Sequence, residues 1–295
     1  MRDAFFLTAG TFDVPAASVR SPVDLAPLGL LERFSPFKLA NTVAVVVRDN
    51  GDVVLVDCGF SRETCRDPVK TLGRVQTMGL GLRVKQEESA VEQLARHGIP
   101  KERVKAIVAT HFHLDHIGGT RDFPNAELVC NDLELAAASL KPPAGGYRPA
   151  DWDGARLRPV RLTSGPSYGF GASHDVFGDG EIVLLDAHGH TAGMIAVAIR
   201  SRGDRDQTTC YVHIGDAAYQ AWEWGLSPRG PGLIMKLISW RPDLLPQRYA
   251  SLRDCEADPR RPVLVPSHDL AVFNRLPHAP KSAENIGISG TTPPA

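Results

Sequence analysis

Six consecutive positions, His111-Phe112-His113-Leu114-Asp115-His116, hold three imidazoles and a carboxylate. Neutral imidazole is the commonest protein metal ligand, and carboxylate completes sites for zinc, iron or manganese, so the stretch reads as a metal site. It follows an apolar run, Val104 to Ala109, that reads as a buried strand, and it leads into Gly118-Gly119. Strand, ligand cluster and glycine turn come in the order that a site at a strand's C-terminal end requires.

Three further apolar runs end on candidate ligands. Glu181 to Asp186 leads into Ala187-His188-Gly189-His190, Thr208 to Ile214 into Gly215-Asp216, and Pro262 to Pro266 into Ser267-His268. A single metal needs three or four ligands. The seven candidates His111, His113, Asp115, His116, His190, Asp216 and His268 therefore suggest two metals sharing a carboxylate, with Asp216 as the natural bridge because it is the only isolated carboxylate among them. His188, one residue away from His190, competes with it for the same role. Asp57 ends another strand and points either toward the metal end of the sheet or into a cap for the loop that follows.

The elements that must position these groups are mostly β. Residues 1–40 carry Pro15, Pro22, Pro27 and Pro36, a spacing that disfavours long helices and predicts an arm or edge strand. Asn41 to Arg48 and Val53 to Asp57 flank a turn at Asp49-Asn50-Gly51-Asp52, a β-hairpin whose near-continuous apolar character implies cover on both faces. Residues 60–85 lack periodicity and are expected to form a loop or mobile helix over the site. Gln86 to Gly98 reads as a helix with Ala90, Val91, Leu94 and Ala95 on one face. Ala126 to Cys130 reads as a strand, and Asn131 to about Leu140 as a helix ending before Pro142-Pro143. Residues 141–180 read as a long excursion, Met194 to Ile199 as a strand and Leu244 to Cys255 as a helix; the tail from Pro277 is expected to fray. Residues 60–85, 141–180 and 220–243 are the candidates for a substrate pocket. The expected organisation is an N-terminal arm over 1–40, one domain over 41–276 and a flexible tail over 277–295.

Composition limits the partners. The 295 residues are 43% hydrophobic and 23% charged, with a formal net charge of -1, so no basic footprint points to nucleic acid or an anionic membrane. No apolar run approaches a membrane span, and the first residues, Met1-Arg2-Asp3-Ala4-Phe5-Phe6-Leu7-Thr8, are too short an apolar run for a signal peptide; a soluble, cytoplasmic protein is expected. The five cysteines are scattered without a Cys-x-x-Cys pair, which fits reduced, mostly buried thiols. His97, His174, His213 and His278 read as surface or supporting groups, and Trp222 and Trp224 as core residues or as walls of an apolar pocket.

Taken together, His111-x-His113-x-Asp115-His116, Gly189-His190-Thr191, Gly215-Asp216 and Ser267-His268 resemble the signature of the metallo-β-lactamase superfamily, over roughly residues 40–270. The resemblance implies an α/β fold, a four-layer αββα sandwich of two mixed sheets with outer helices, and a dinuclear site. By that analogy His111, His113 and His190 hold the first metal, Asp115, His116 and His268 the second, and Asp216 bridges them; the metals are two Zn2+ ions, with iron, manganese or cobalt as substitutes. Tyr219, three places after Asp216, is similar to the tyrosine of the N-acyl-homoserine lactone lactonases and pyridoxolactonase-type enzymes, where it reaches the substrate carbonyl. Ala192 and Met194 depart from the related Gly-His-Thr-Pro-Gly-His pattern, but neither is a ligand position.

The implied function is a dinuclear zinc hydrolase that opens a lactone ring by attack of a metal-bridging hydroxide, with Tyr219 stabilising the oxyanion and Asp115 passing a proton to the leaving alkoxide. The implied partner is a small-molecule lactone or ester, and the chain is expected as a monomer or a homodimer. The alternatives are a hydrolase of another ester, a thioester or a phosphotriester, and, from a different class, a di-iron redox protein. The last usually pairs this domain with a flavin or thiol partner, and no such module is visible.

Overall fold

Alternation along the first hairpin dictates the layering. In β2 (Pro36–Val47) and β3 (Val53–Val56), Ala44, Val46, Val54 and Val56 enter one buried apolar cluster, while Val45, Val47, Val53 and Leu55 enter another. Strands that are apolar on both faces are stable only between two covering layers. The computed structural model describes residues 3–140, 146–202, 208–225 and 227–279.

β1 (Asp3–Pro15), β4 (Leu82–Arg83), β5 (Val104–Val108), β6 (Glu127–Asn131) and β7 (Arg156–Val160) join the hairpin in a seven-stranded sheet of order β4-β1-β2-β3-β5-β6-β7. β8 (Ser173–Asp175), β9 (Ile182–Asp186), β10 (Ile195–Arg202), β11 (Thr208–Gly215) and β12 (Val263–Pro266) form a five-stranded sheet of order β12-β11-β10-β9-β8. Both are mixed: β3, β5, β6 and β7 run parallel beside antiparallel β1 and β2, and β11 and β12 are parallel in an otherwise antiparallel sheet.

Phe6, Val46, Val56 and Val108 of the larger sheet meet Leu184, Val197 and Val265 of the smaller one. The outer face of the larger sheet packs on Leu94 of the helix Ala90–Arg96 and Ala138 of the helix Asp132–Leu140. Tyr249, Leu252 and Cys255 of the helix Leu245–Glu256 cover the smaller sheet. The architecture is the αββα sandwich expected from the sequence.

Hydrogen bonds tie the strand ends at one edge of the sandwich. Asp57 N–H donates to Val108 O (2.9 Å), Ile195 N–H to Thr110 O across the two sheets (2.9 Å), and Ser267 N–H to Gly215 O (3.3 Å). β3 is thereby tied to β5, the loop after β5 to the start of β10, and β12 to β11, and the candidate ligands follow β5, β9, β11 and β12.

Several local expectations need correction. Residues 146–180 are not a featureless excursion: they supply β7 to one sheet and β8 to the other. β7 is an edge strand, and its exposed Arg156 and Leu157 break the inside–outside alternation that marks a half-buried strand. Residues 60–85 hold three short helices, Arg62–Arg66, Pro68–Leu72 and Arg74–Gly79, each too brief to register a helical period. In the next segment a single 3₁₀ turn, Gln86–Glu88, precedes the helix, and Ala95 is exposed rather than on the buried face. At the N-terminus β1 pairs with β2 along its length and meets β4 only at Thr11 and Phe12. The start of the expected frayed tail lies against β1: Phe6 N–H donates to Pro277 O (2.8 Å), and Phe6 bridges His278. The rest of that tail, residues 280–295, lies outside the described residues.

Candidate metal centre

The strand ends bring all seven predicted ligands together. His111, His113 and His190 form one group whose ligand atoms lie within 4.8 Å of one another, and Asp115, His116 and His268 form another. In the first group His113 Nδ1 is 3.0 Å from His111 Nε2 and 3.1 Å from His190 Nε2. In the second, Asp115 Oδ2 is 3.5 Å from His116 Nε2 and 3.6 Å from His268 Nε2. Asp216 stands between them. Its Oδ2 is 3.4 Å from His190 Nε2 and 3.8 Å from His111 Nε2, while its Oδ1 is 3.2 Å from His268 Nε2 and 3.4 Å from His116 Nε2.

Acceptors on the far side of the rings decide which nitrogen faces inward. His116 Nδ1–H donates to Asp57 Oδ2 (2.7 Å), His268 Nδ1–H to Ala40 O (2.8 Å) and His111 Nδ1–H to Thr110 Oγ1 (3.1 Å). Each bond leaves Nε2 free toward the centre, as metal-ligating imidazoles require. Asp57 also accepts from Thr110 N–H and from the Thr110 hydroxyl, both at 2.8 Å. It therefore serves the metal end of the sheet rather than capping the following loop. It does so from a left-handed backbone, φ 58°, a conformation that costs on the order of 1–2 kcal/mol outside glycine. At Gly215, also left-handed at φ 54°, a Cβ would sit 3.0 Å from Thr110 Cβ, so only glycine lets β11 pass this close to the histidine loop.

The electrostatics divide the imidazoles. Burial holds His111 well below its ordinary pKa, helped by the neighbouring His116 and His113, and brings His190 down to about 3. Both are neutral donors ready for a cation. Burial also opposes charge on His116 and His268, but Asp216 and Asp115 outweigh it and raise both. A cation entering there replaces those protons, which makes its binding pH-dependent. Two buried atoms at the centre, His116 Nε2 and Asp216 Oδ1, lack a hydrogen-bond partner, as expected of groups whose partner is a metal. The donor set of imidazole and carboxylate fits zinc, iron, manganese or cobalt.

Residues 38–205 match the model of the metallo-beta-lactamase superfamily. The chain belongs to that superfamily. A probable metallo-hydrolase of Mycobacterium tuberculosis is 37% identical over 185 residues, covering 60% of this chain and 56% of its own length. The N-acyl homoserine lactonase AttM of Azorhizobium caulinodans is 29% identical over 148 residues, 50% of this chain and 54% of its own length. The chain thus spans little more than half the length of these curated relatives. Among solved structures, a variant of AiiA from B. thuringiensis with N-decanoyl-L-homoserine at its active site superposes with a TM-score of 0.69 at 18% identity, covering 93% of this chain and 96% of that one. AidC, a dizinc quorum-quenching lactonase, does so at 0.59 and 15% identity, covering 90% of this chain and 87% of that one. At these identities the likeness is one of fold.

In this metallo-beta-lactamase superfamily member the centre opens on a cavity of about 390 Å³. Asp115, Asp216, Tyr219 and His268 form its polar floor, and Phe12, Leu39, Leu114 and Ile234 are among its apolar walls. The three regions named as pocket candidates all contribute: Leu80 from the first, Gly146 from the second, Ile238 from the third. Tyr219 packs edge-on against the His268 ring, centroids 4.7 Å apart, and with Asp216 it lines the cavity. Burial, reinforced by Asp216 and Asp115, keeps that phenol well above its ordinary pKa, so it is a neutral O–H donor.

Other sequence candidates fall outside. His188 is half-exposed and pairs with Asp186 at 2.6 Å, leaving His190 as the residue at the centre. His213 is not a surface group: it is fully buried, with Nε2–H donating to Thr42 O at 3.1 Å. Trp224 is core, donating to Glu256, and Trp222 packs on Phe37; neither lines the cavity. All five cysteines are free and buried. Two carboxylates unremarked in the sequence also support the site. Glu223 accepts the backbone N–H groups of Tyr219 (2.9 Å) and Gln220 (3.0 Å), and Glu134 accepts from both histidine-bearing loops of the first group. Neither carries a local signal, because an acid in a helical first turn is common on any surface. Among the described residues no helix is long and apolar enough to cross a membrane.

Proposed function

We propose that the chain is a two-metal hydrolase of lactones, with His111, His113 and His190 holding one cation, Asp115, His116 and His268 the other, and Asp216 bridging them. The observation that carries this reading is the placement of Asp216: one carboxylate oxygen faces each group, and the Tyr219 hydroxyl lies beside it. Zinc is the proposed metal on both sides. Bound there, two such cations supply an acidified water and Lewis-acid polarisation of an ester carbonyl.

The residues of the chain do the rest. Tyr219, neutral and fixed against His268, donates its O–H to the carbonyl oxygen as negative charge develops on it. Asp115 keeps 19% of its side chain accessible and lines the cavity, where it takes the proton given up by the attacking water and passes it to the ring oxygen as that bond breaks. The apolar walls exclude water and take an acyl substituent. Among the described lining residues none is Lys or Arg, which favours an uncharged acyl group over an anionic thioester carrier. The N-acyl homoserine lactonase among the relatives supports the same substrate class.

The test is metal analysis together with a panel of acyl-homoserine lactones of varied chain length, thioesters and phosphotriesters. Two equivalents of metal and preferential lactone turnover are expected. Stoichiometric iron without ester hydrolysis would remove the lactonase reading.

A further inference from the structure

The helix Asp132–Leu140 buries one carboxylate, Glu134, whose partners among the described residues are all neutral donors. Phe112 N–H donates to Oε1 at 3.0 Å, and the Thr191 hydroxyl and Gly193 N–H donate to Oε2 at 2.7 and 2.9 Å. Donors thus meet both of its carboxylate oxygens. The Tyr147 ring lies 5.7 Å from the His113 ring.

The donors come from two places far apart in the chain. Phe112 lies between His111 and His113, and Thr191 follows His190. These bonds all fall beside His111, His113 and His190, and among the described residues none is to the side chain of Asp115, His116 or His268. The approach is close enough that a Cβ on Gly193 would sit 2.1 Å from Glu134 N, and Asn131 Nδ2–H adds a bond to Gly193 O at 2.9 Å.

We propose that Glu134 is a positioning residue that holds the His111–His113 loop and the His190 loop at the spacing one cation requires, and so sets the affinity of that half of the centre. The inference rests on the two-metal reading above. A carboxylate accepts on both oxygens, whereas an amide accepts on one. In Glu134→Gln either Phe112 N–H or Gly193 N–H must face an NH2 group, whichever way the amide is turned, and one of the two loops is released.

The experiment is stepwise chelation of the full-length chain loaded with Co2+, following metal content and the visible spectrum. In wild type two equivalents are expected. In Glu134→Gln one equivalent weakens by about 10–100-fold, with loss of one site's share of the spectrum, while the other keeps its wild-type affinity. Thr191→Val deletes one neutral donor without disturbing the backbone; it should weaken the same equivalent by less, and it carries the test if Glu134→Gln does not fold. Loss of both equivalents together, or of neither, overturns the role of Glu134. A wild-type chain that binds fewer than two equivalents overturns the two-metal reading itself.

Discussion

The two sheets contribute to the centre in different ways. The seven-stranded sheet delivers His111, His113, Asp115 and His116 from one loop after β5, while the five-stranded sheet delivers His190, Asp216 and His268 from the ends of three strands, one ligand each. On the first side, a shift in one ligand moves its neighbours with it. On the second, each ligand depends on its own backbone anchor, such as Ser267 N–H to Gly215 O or Trp240 N–H to His190 O at 2.8 Å. The larger sheet thus supplies density of ligands, and the smaller one supplies geometry.

Asp216→Asn attacks that comparison where the effect should be greatest. No neighbouring residue on β11 replaces the bridge, so both groups are expected to lose metal and hydrolysis should fall to the detection limit. Unchanged metal content by elemental analysis would show that the smaller sheet does not organise the pair. Tyr219→Phe should leave both ligand groups intact and keep two metals, yet slow kcat for lactones on the order of 10²-fold, as expected for one lost oxyanion donor. Full activity across a range of lactones would return Tyr219 to a packing role against His268.

Asp57→Asn probes the larger sheet. The amide turns an NH2 toward His116 Nδ1, which favours the tautomer with a proton on Nε2, where a cation must bind. Affinity in the Asp115, His116 and His268 group should fall about 10–100-fold, and less in the His111 group, which Asp57 reaches only through Thr110. Chelation curves in which Asp57→Asn and Glu134→Gln weaken chiefly the same equivalent would erase the distinction between the halves.

Glu223→Gln should change least. Burial pushes this carboxyl up to about 7 from an ordinary 4.5, so the native state holds its proton more tightly than the unfolded chain does. Its contribution to stability is full below pH 4.5 and lost as pH rises through about 7. Unlike Glu134, its two backbone donors share Oε1 and the Tyr249 hydroxyl meets Oε2, so a glutamine can satisfy them with its amide oxygen and let its NH2 donate to Tyr249. Metal content should be retained and that pH dependence of thermal unfolding removed. A variant whose melting temperature keeps the wild-type slope between those pH values would show that Glu223 does not titrate in the fold.

Much of this was legible in the sequence, for a physical reason. Ligand chemistry is local: imidazoles and carboxylates packed within six residues at a strand end announce a metal site, and buried strands announce themselves by apolar runs such as Val43 to Val47. The sequence by itself therefore determined the apolar strands, the order of the ligand loops and the cluster at residues 111–116, while the sandwich came from its family resemblance and His188 stayed a competitor of His190. Only the tertiary structure decided that one oxygen of Asp216 faces each group, that His190 rather than His188 turns inward, and that Asp57 holds His116 while Glu134 holds the loops of His111, His113 and His190. Those choices rest on hydrogen bonds between Asp57 and His116, or Glu134 and Thr191, that span more than fifty residues. Such bonds follow from strand order and sheet packing, and leave no period, spacing or composition for a single sequence to display.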